Sequence, residues 1–134
     1  MDDPQRLRPV LPGQLVVLVA DDSALICNIL RFALEAMGMF VLAATDGQKA
    51  LELSQKFPGT IHAVVSDIVL PNLDGLGLCD QIRLDRPGIK LLLMSGNSGP
   101  ADGTPFLQKP FRVEELKQKM RYLVDGMTPM PPAS

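Results

Sequence analysis

Residues 15–37 read LVVLVADDSALICNILRFALEAM. The first six are continuously apolar and rich in valine, as suits a strand buried on both faces. Two carboxylates, Asp21 and Asp22, close that run. From residue 23 the period changes: Ile26, Ile29, Leu30, Ala33, Leu34 and Met37 fall three and four apart, along one face of a helix. Asp22 or Ser23 would cap this helix and Gly38 would stop it. A doubly buried strand running straight into an amphipathic helix is half of a βαβ unit.

Working outward, the same alternation continues. Residues 39–44 read as a second strand and 46–57 as a second helix, ended by Pro58-Gly59. Residues 63–66 form a third strand and 75–84 a third helix. Pro87-Gly88 separates that helix from a fourth strand, 89–94. A short fifth strand covers 106–108 and a final helix 113–124. Strands alternating with helices predict an α/β fold: a doubly wound, mostly parallel five-stranded sheet with helices on both faces. Pro4, Pro9 and Pro12 mark residues 1–13 as a flexible leader. Pro129, Pro131 and Pro132 mark 126–134 as a flexible tail. Residues 14–125 then form one domain of ordinary size.

Composition narrows the function. Among 134 residues, 13 are basic and 15 acidic, for a net charge of −2. No clustered basic face of the kind that nucleic-acid binding requires is expected. No apolar run approaches the roughly 20 residues of a membrane helix, and the acidic start lacks a secretory signal. Cys27 and Cys79 sit in apolar helical patterns without metal or redox spacing, which predicts buried, reduced thiols in a cytoplasmic protein. His62, at the start of the third strand, reads as structural.

In open sheets of this kind, ligands bind beyond the carboxyl ends of the strands. Four of the predicted strands end in chemistry. The first ends at Asp21-Asp22, the third at Asp67, the fourth at Ser95 and the fifth at Lys109, followed by Pro110. Taken alone, Asp21-Asp22 reads equally well as a helix cap, and Lys109 as a solvated lysine. Together they place three carboxylates, a hydroxyl and an ammonium at one sheet edge. Three carboxylates repel one another, and one lysine offsets only part of that charge. A hard divalent cation resolves the conflict; Mg²⁺ suits it, needing only one or two carboxylates and keeping several waters. A carboxylate so neutralised is a plausible nucleophile toward phosphorus.

Four segments carry a resemblance to a known family: Leu18-Val19-Ala20-Asp21-Asp22-Ser23, Val64 through Gly75, Leu93-Met94-Ser95-Gly96 and Leu107-Gln108-Lys109-Pro110-Phe111. Together they resemble the receiver domain of two-component response regulators, of the chemotaxis-receiver kind. The resemblance implies a flavodoxin-like sheet of order 2-1-3-4-5. It implies a phosphoprotein of a phosphorelay, with Asp67 as phosphoacceptor for a sensor histidine kinase or phosphotransfer protein. Asp22 would ligate Mg²⁺ (or Mn²⁺) directly, Asp21 through water, alongside Asp67 and the backbone carbonyl of Val69. Ser95 would be the switch hydroxyl, Phe106 the switch aromatic, and Lys109 the site lysine, aimed by a cis bond to Pro110. Such a domain assists its own phosphorylation and dephosphorylation but is a signalling module, not a metabolic enzyme.

One departure is plain. Between Ser95 and Phe106, where the family places a full helix, lie ten residues, Gly96 to Pro105, with three glycines and two prolines. That composition predicts a shortened or absent fourth helix. The sheet face beneath should then be left open, with Leu91, Leu93 and Phe106 partly exposed or covered by a homodimer or other partner. It also motivates an alternative: a receiver-like interaction module that does not switch by phosphorylation. A Mg²⁺-dependent phosphatase with an aspartyl nucleophile would need a general-acid aspartate two residues after Asp67, where Val69 stands. Nothing after Asp125 reads as an output domain.

Overall fold

The period-two alternation of the strands divides the apolar residues between two cores. In a computed structural model, which describes residues 9–97, 99–100 and 102–125, Val17, Val19, Val41, Val65, Leu92 and Met94 point into one core. Their neighbours Val16, Leu18, Leu42, Val64, Leu91 and Leu93 point into the other. Both faces of the sheet are therefore covered, as continuous apolar strands require.

The elements are β1 (Val16–Ala20), α1 (Ala24–Ala36), β2 (Phe40–Ala44), α2 (Gly47–Lys56), β3 (Ala63–Asp67), α3 (Gly75–Asp85), β4 (Lys90–Ser95), β5 (Phe106–Gln108) and α4 (Val113–Val124). All strand pairs are parallel, in the order β2-β1-β3-β4-β5. Helices α1 and α4 supply Leu30, Leu34, Leu116 and Met120 to the first core. Helices α2 and α3 supply Ala50, Leu51, Leu78 and Ile82 to the second. The leader is described only from Pro9; its first eight residues and the tail 126–134 lie outside the described residues.

Local chemistry sets the helix ends. Of the two candidate caps, Ser23 is the one used: its side chain accepts the Ile26 N–H at 3.2 Å. Gly38 ends α1 with φ +87°, a left-handed conformation that costs glycine least. The carboxyl end of α2 is held from outside. Arg86, the residue after α3, donates to Ser54 Oγ and to the carbonyls of Ser54, Phe57 and Gly59 at 2.7–3.1 Å. The carbonyls that a helix end leaves unpaired thus meet a planar guanidinium fork. Arg86→Ala is expected to destabilise the fold by about 2–4 kcal/mol, and Arg86→Lys to recover little of it. Urea unfolding measures both.

His62 lies beside this clamp, and its Nδ1 accepts the Val16 N–H at 3.0 Å. Burial lowers its pKa from the usual 6.5. The unfolded chain then binds the proton more readily than the folded one. His62 accordingly favours folding fully above about pH 6.5 and less as pH falls below it. His62→Gln should remove that part of the acid dependence of the thermal midpoint.

Among the described residues, no helix lies between β4 and β5; Ser98 and Ala101 fall outside them. The open face expected there is not found at Leu91 and Leu93, which are 8% and 2% exposed. Both share a core with Leu78, Cys79 and Ile82 of α3, so α3 supplies cover that the sequence argument had assigned to a missing helix. Phe106 is half-buried, and the loop lies against it: a Cβ added to Gly99 would come within 2.7 Å of its ring.

Candidate functional site

Parallel pairing brings the carboxyl ends of the strands to one edge. Ala20, the last residue of β1, lies beside Ala44 and Ser66, and Asp67 lies beside Met94. Asp21 and Asp22 follow β1, Asp67 ends β3, Ser95 ends β4 and Lys109 follows β5. One carboxylate oxygen from each of Asp21, Asp22 and Asp67 lies within 4.8 Å of the others. The three acids and the lysine foreseen in the sequence do converge.

Lys109 is the bridge. Its Nζ donates to Asp21 Oδ2 at 2.6 Å and to Asp67 Oδ2 at 2.8 Å. The Lys109–Pro110 peptide is cis, as expected. Asp21 is fully buried; its Oδ1 accepts the Ser23 N–H at 2.9 Å. Burial pushes the Asp21 carboxyl above its usual value, although Lys109 and the Ser23 N–H pull the other way. Burial would lower the Lys109 ammonium, but its hydrogen bonds to Asp21 and Asp67 outweigh that and raise it. The lysine therefore stays charged, and the buried acid stays electrostatically costly.

Asp67 Oδ1 accepts the Val69 N–H at 3.2 Å, while the Val69 side chain stands 71% exposed. Asp22 is exposed. With Ser23 doing the capping, the Asp22 carboxylate is left to the cluster. Ser95 is buried, its Oγ accepts the Asn97 N–H at 3.0 Å, and its carbonyl accepts the Lys109 N–H at 2.8 Å. Phe106, beside Leu93 on β5, lies away from the acids in the second core. The donor set is all oxygen: three carboxylates against one ammonium. That fits a hard cation such as Mg²⁺.

Three supports of this site lie outside the residues that the strand ends single out. The buried Cys27 thiol donates to the Asp21 carbonyl at 3.2 Å. Asp46 caps α2 by accepting the Lys49 N–H at 2.7 Å. Gly47 donates its N–H to Pro71 O in the loop after Asp67, at 3.1 Å. The Asp46-Gly47 pair at a strand-to-helix junction was a visible cap signal. Its link to the loop was not.

This fold and this edge define a receiver. The model of the response regulator receiver domain matches residues 17–121, and the chain belongs to that family. It is 34% identical over 121 residues to the response regulator MprA of Mycolicibacterium vanbaalenii, covering 84% of this chain and 52% of the relative. It is 34% identical over 118 residues to the sensor kinase CckA of Brucella abortus, covering 82% of this chain and 12% of that protein. The chain thus spans about half or less of these relatives. Among solved structures, the receiver domain of the hybrid histidine kinase CckA superposes with a TM-score of 0.73 at 28% identity, covering 81% of this chain and 98% of that one. A response regulator receiver protein from Sinorhizobium medicae gives 0.76 at 25% identity, covering 84% and 96%. The chain is a signalling module of the two-component class. No helix among the described residues is long and apolar enough to cross a membrane.

Proposed function

We propose that the chain takes a phosphoryl group onto Asp67 from a phosphohistidine of a sensor histidine kinase or phosphotransfer protein, with Mg²⁺ held by Asp22, Asp67, the Val69 carbonyl and, through water, Asp21. Mn²⁺ has the same oxygen chemistry and would serve there too. The observation that carries this reading is the convergence of three carboxylates within 4.8 Å of one another, two of them bonded to a single lysine. The cation supplies positive charge to the phosphoryl oxygens and offsets the excess of carboxylates.

An Asp67 carboxylate oxygen attacks phosphorus, the P–N bond to the partner's imidazole breaks, and its electron pair stays on that nitrogen. Lys109 neutralises charge on the transferring oxygens, as phosphoryl transfer requires. The Ser95 hydroxyl turns to donate to a phosphoryl oxygen, releasing the Asn97 N–H. Phe106 follows that movement from β5. Water removes the group later, with the same residues assisting. Leu25 and Phe32 on α1 are 68% and 79% exposed on the helix that follows Asp21-Asp22, which supports docking of a protein partner there.

The test is incubation with acetyl phosphate, with and without Mg²⁺, followed by intact mass and peptide mapping. A phosphoryl adduct at residue 67, formed only with the cation, is expected. Its absence would favour a non-switching interaction module, the reading that the short Gly96–Pro105 connection supports.

A further inference from the structure

We propose that Gly47, the first residue of α2, is a positioning residue for the cation-binding loop between β3 and α3. The inference rests on the reading that this loop helps to hold Mg²⁺.

The loop runs from Ile68 to Asp74 and contains Val69. Its base is pinned by Ile68 N–H to Met94 O at 2.9 Å and by Gly75 N–H to Ile68 O at 2.7 Å. Its far side is held by α2: Gly47 N–H donates to Pro71 O at 3.1 Å. The approach is extremely close. A Cβ built on Gly47 would lie 1.6 Å from the Leu73 carbonyl oxygen, 2.6 Å from its carbon and 2.9 Å from Leu73 Cβ. The obstacle is backbone, which cannot turn aside.

Gly47 is not among the glycines with positive φ. An L side chain is therefore compatible with its own backbone. Glycine is required there by the space the loop occupies, not by conformation. An ordinary contact begins near 3.4 Å, so an alanine would force the loop and helix apart by the difference from 1.6 Å, about 1.8 Å. Mg²⁺ demands near-ideal octahedral geometry and tolerates no such displacement of a ligand carbonyl. Gly77 offers the contrast. Its added Cβ would meet the tip of the Leu73 side chain at 3.0 Å, a group that can rotate away.

The experiment titrates Mg²⁺ into the protein, following backbone amide resonances, alongside urea unfolding of each variant. Gly47→Ala is expected to bind Mg²⁺ at least about tenfold more weakly than wild type. Gly77→Ala is expected to stay within about twofold of it. Ile82→Val, a core change away from the loop, should lose stability while keeping wild-type affinity. Wild-type affinity in a folded Gly47→Ala would overturn the proposal. No Mg²⁺ binding by wild type would instead overturn the reading beneath it. Should Gly47→Ala not fold, the comparison passes to Asp46, whose cap holds the same turn. Asp46→Ala should weaken binding severalfold and Asp46→Asn, which can still cap, should restore it. Unchanged affinity in Asp46→Ala would then overturn the proposal.

Discussion

Asp67→Asn is expected to abolish phosphoryl incorporation while leaving the protein folded. An amide oxygen is a far weaker nucleophile than a carboxylate and cannot form the acyl phosphate. The substitution also removes one of three negative charges gathered within 4.8 Å. Like charges at that separation destabilise the compact state, so the variant should unfold at equal or higher urea than wild type, by up to about 1 kcal/mol. The single amide oxygen can keep the Lys109 bond or the Val69 N–H bond but not both, since these use different carboxylate oxygens, and that loss limits the gain. Mass spectrometry after acetyl phosphate treatment measures the first effect and urea unfolding the second. Full labelling of Asp67→Asn would remove Asp67 as the acceptor.

The opposite charge change should act in the opposite direction. Lys109→Met keeps an apolar stem and removes the ammonium that lies 2.6 Å from Asp21 and 2.8 Å from Asp67. Asp21 is fully buried, so its carboxylate would lose its charged partner without gaining water. Breaking such a pair by deleting one member costs about 3 kcal/mol, the low end of the usual range because the lysine side chain is itself 23% exposed. Adding Mg²⁺ should recover part of the loss, since a cation bound only by the folded state stabilises it in proportion to its saturation. Phosphorylation should remain strongly impaired, because the charge facing the transferring oxygens is gone. An unfolding midpoint equal to that of wild type in the absence of divalent cation would show that Lys109 does not balance these acids.

Much of this was legible in the chain because the two kinds of information coincide. A doubly buried parallel strand must be apolar throughout, so residues 15–20 declared themselves, and its first polar residue marks the functional edge. Asp21, Asp67, Ser95 and Lys109 follow from that logic without any family resemblance. The cap of α1 stayed open between Asp22 and Ser23, since both residue types can accept the same N–H. The structure gives the cap to Ser23, which leaves Asp22 to the acidic cluster. The exposure expected at Leu91 and Leu93 failed because composition shows where helix formers are lacking but not how far a neighbouring helix reaches. Leu78, Cys79 and Ile82 of α3 belong to the same core as Leu91 and Leu93.

Local order along the chain thus determined the elements, their parallel arrangement and the identity of the acids at the sheet edge, because hydrophobic period and strand ends are written residue by residue. Tertiary structure alone decided which segments lean on one another: Arg86 on the end of α2 and Gly47 against Leu73. Those contacts join residues far apart in sequence whose own conformations are ordinary, so nothing local announces them. They exist only once the helices have docked.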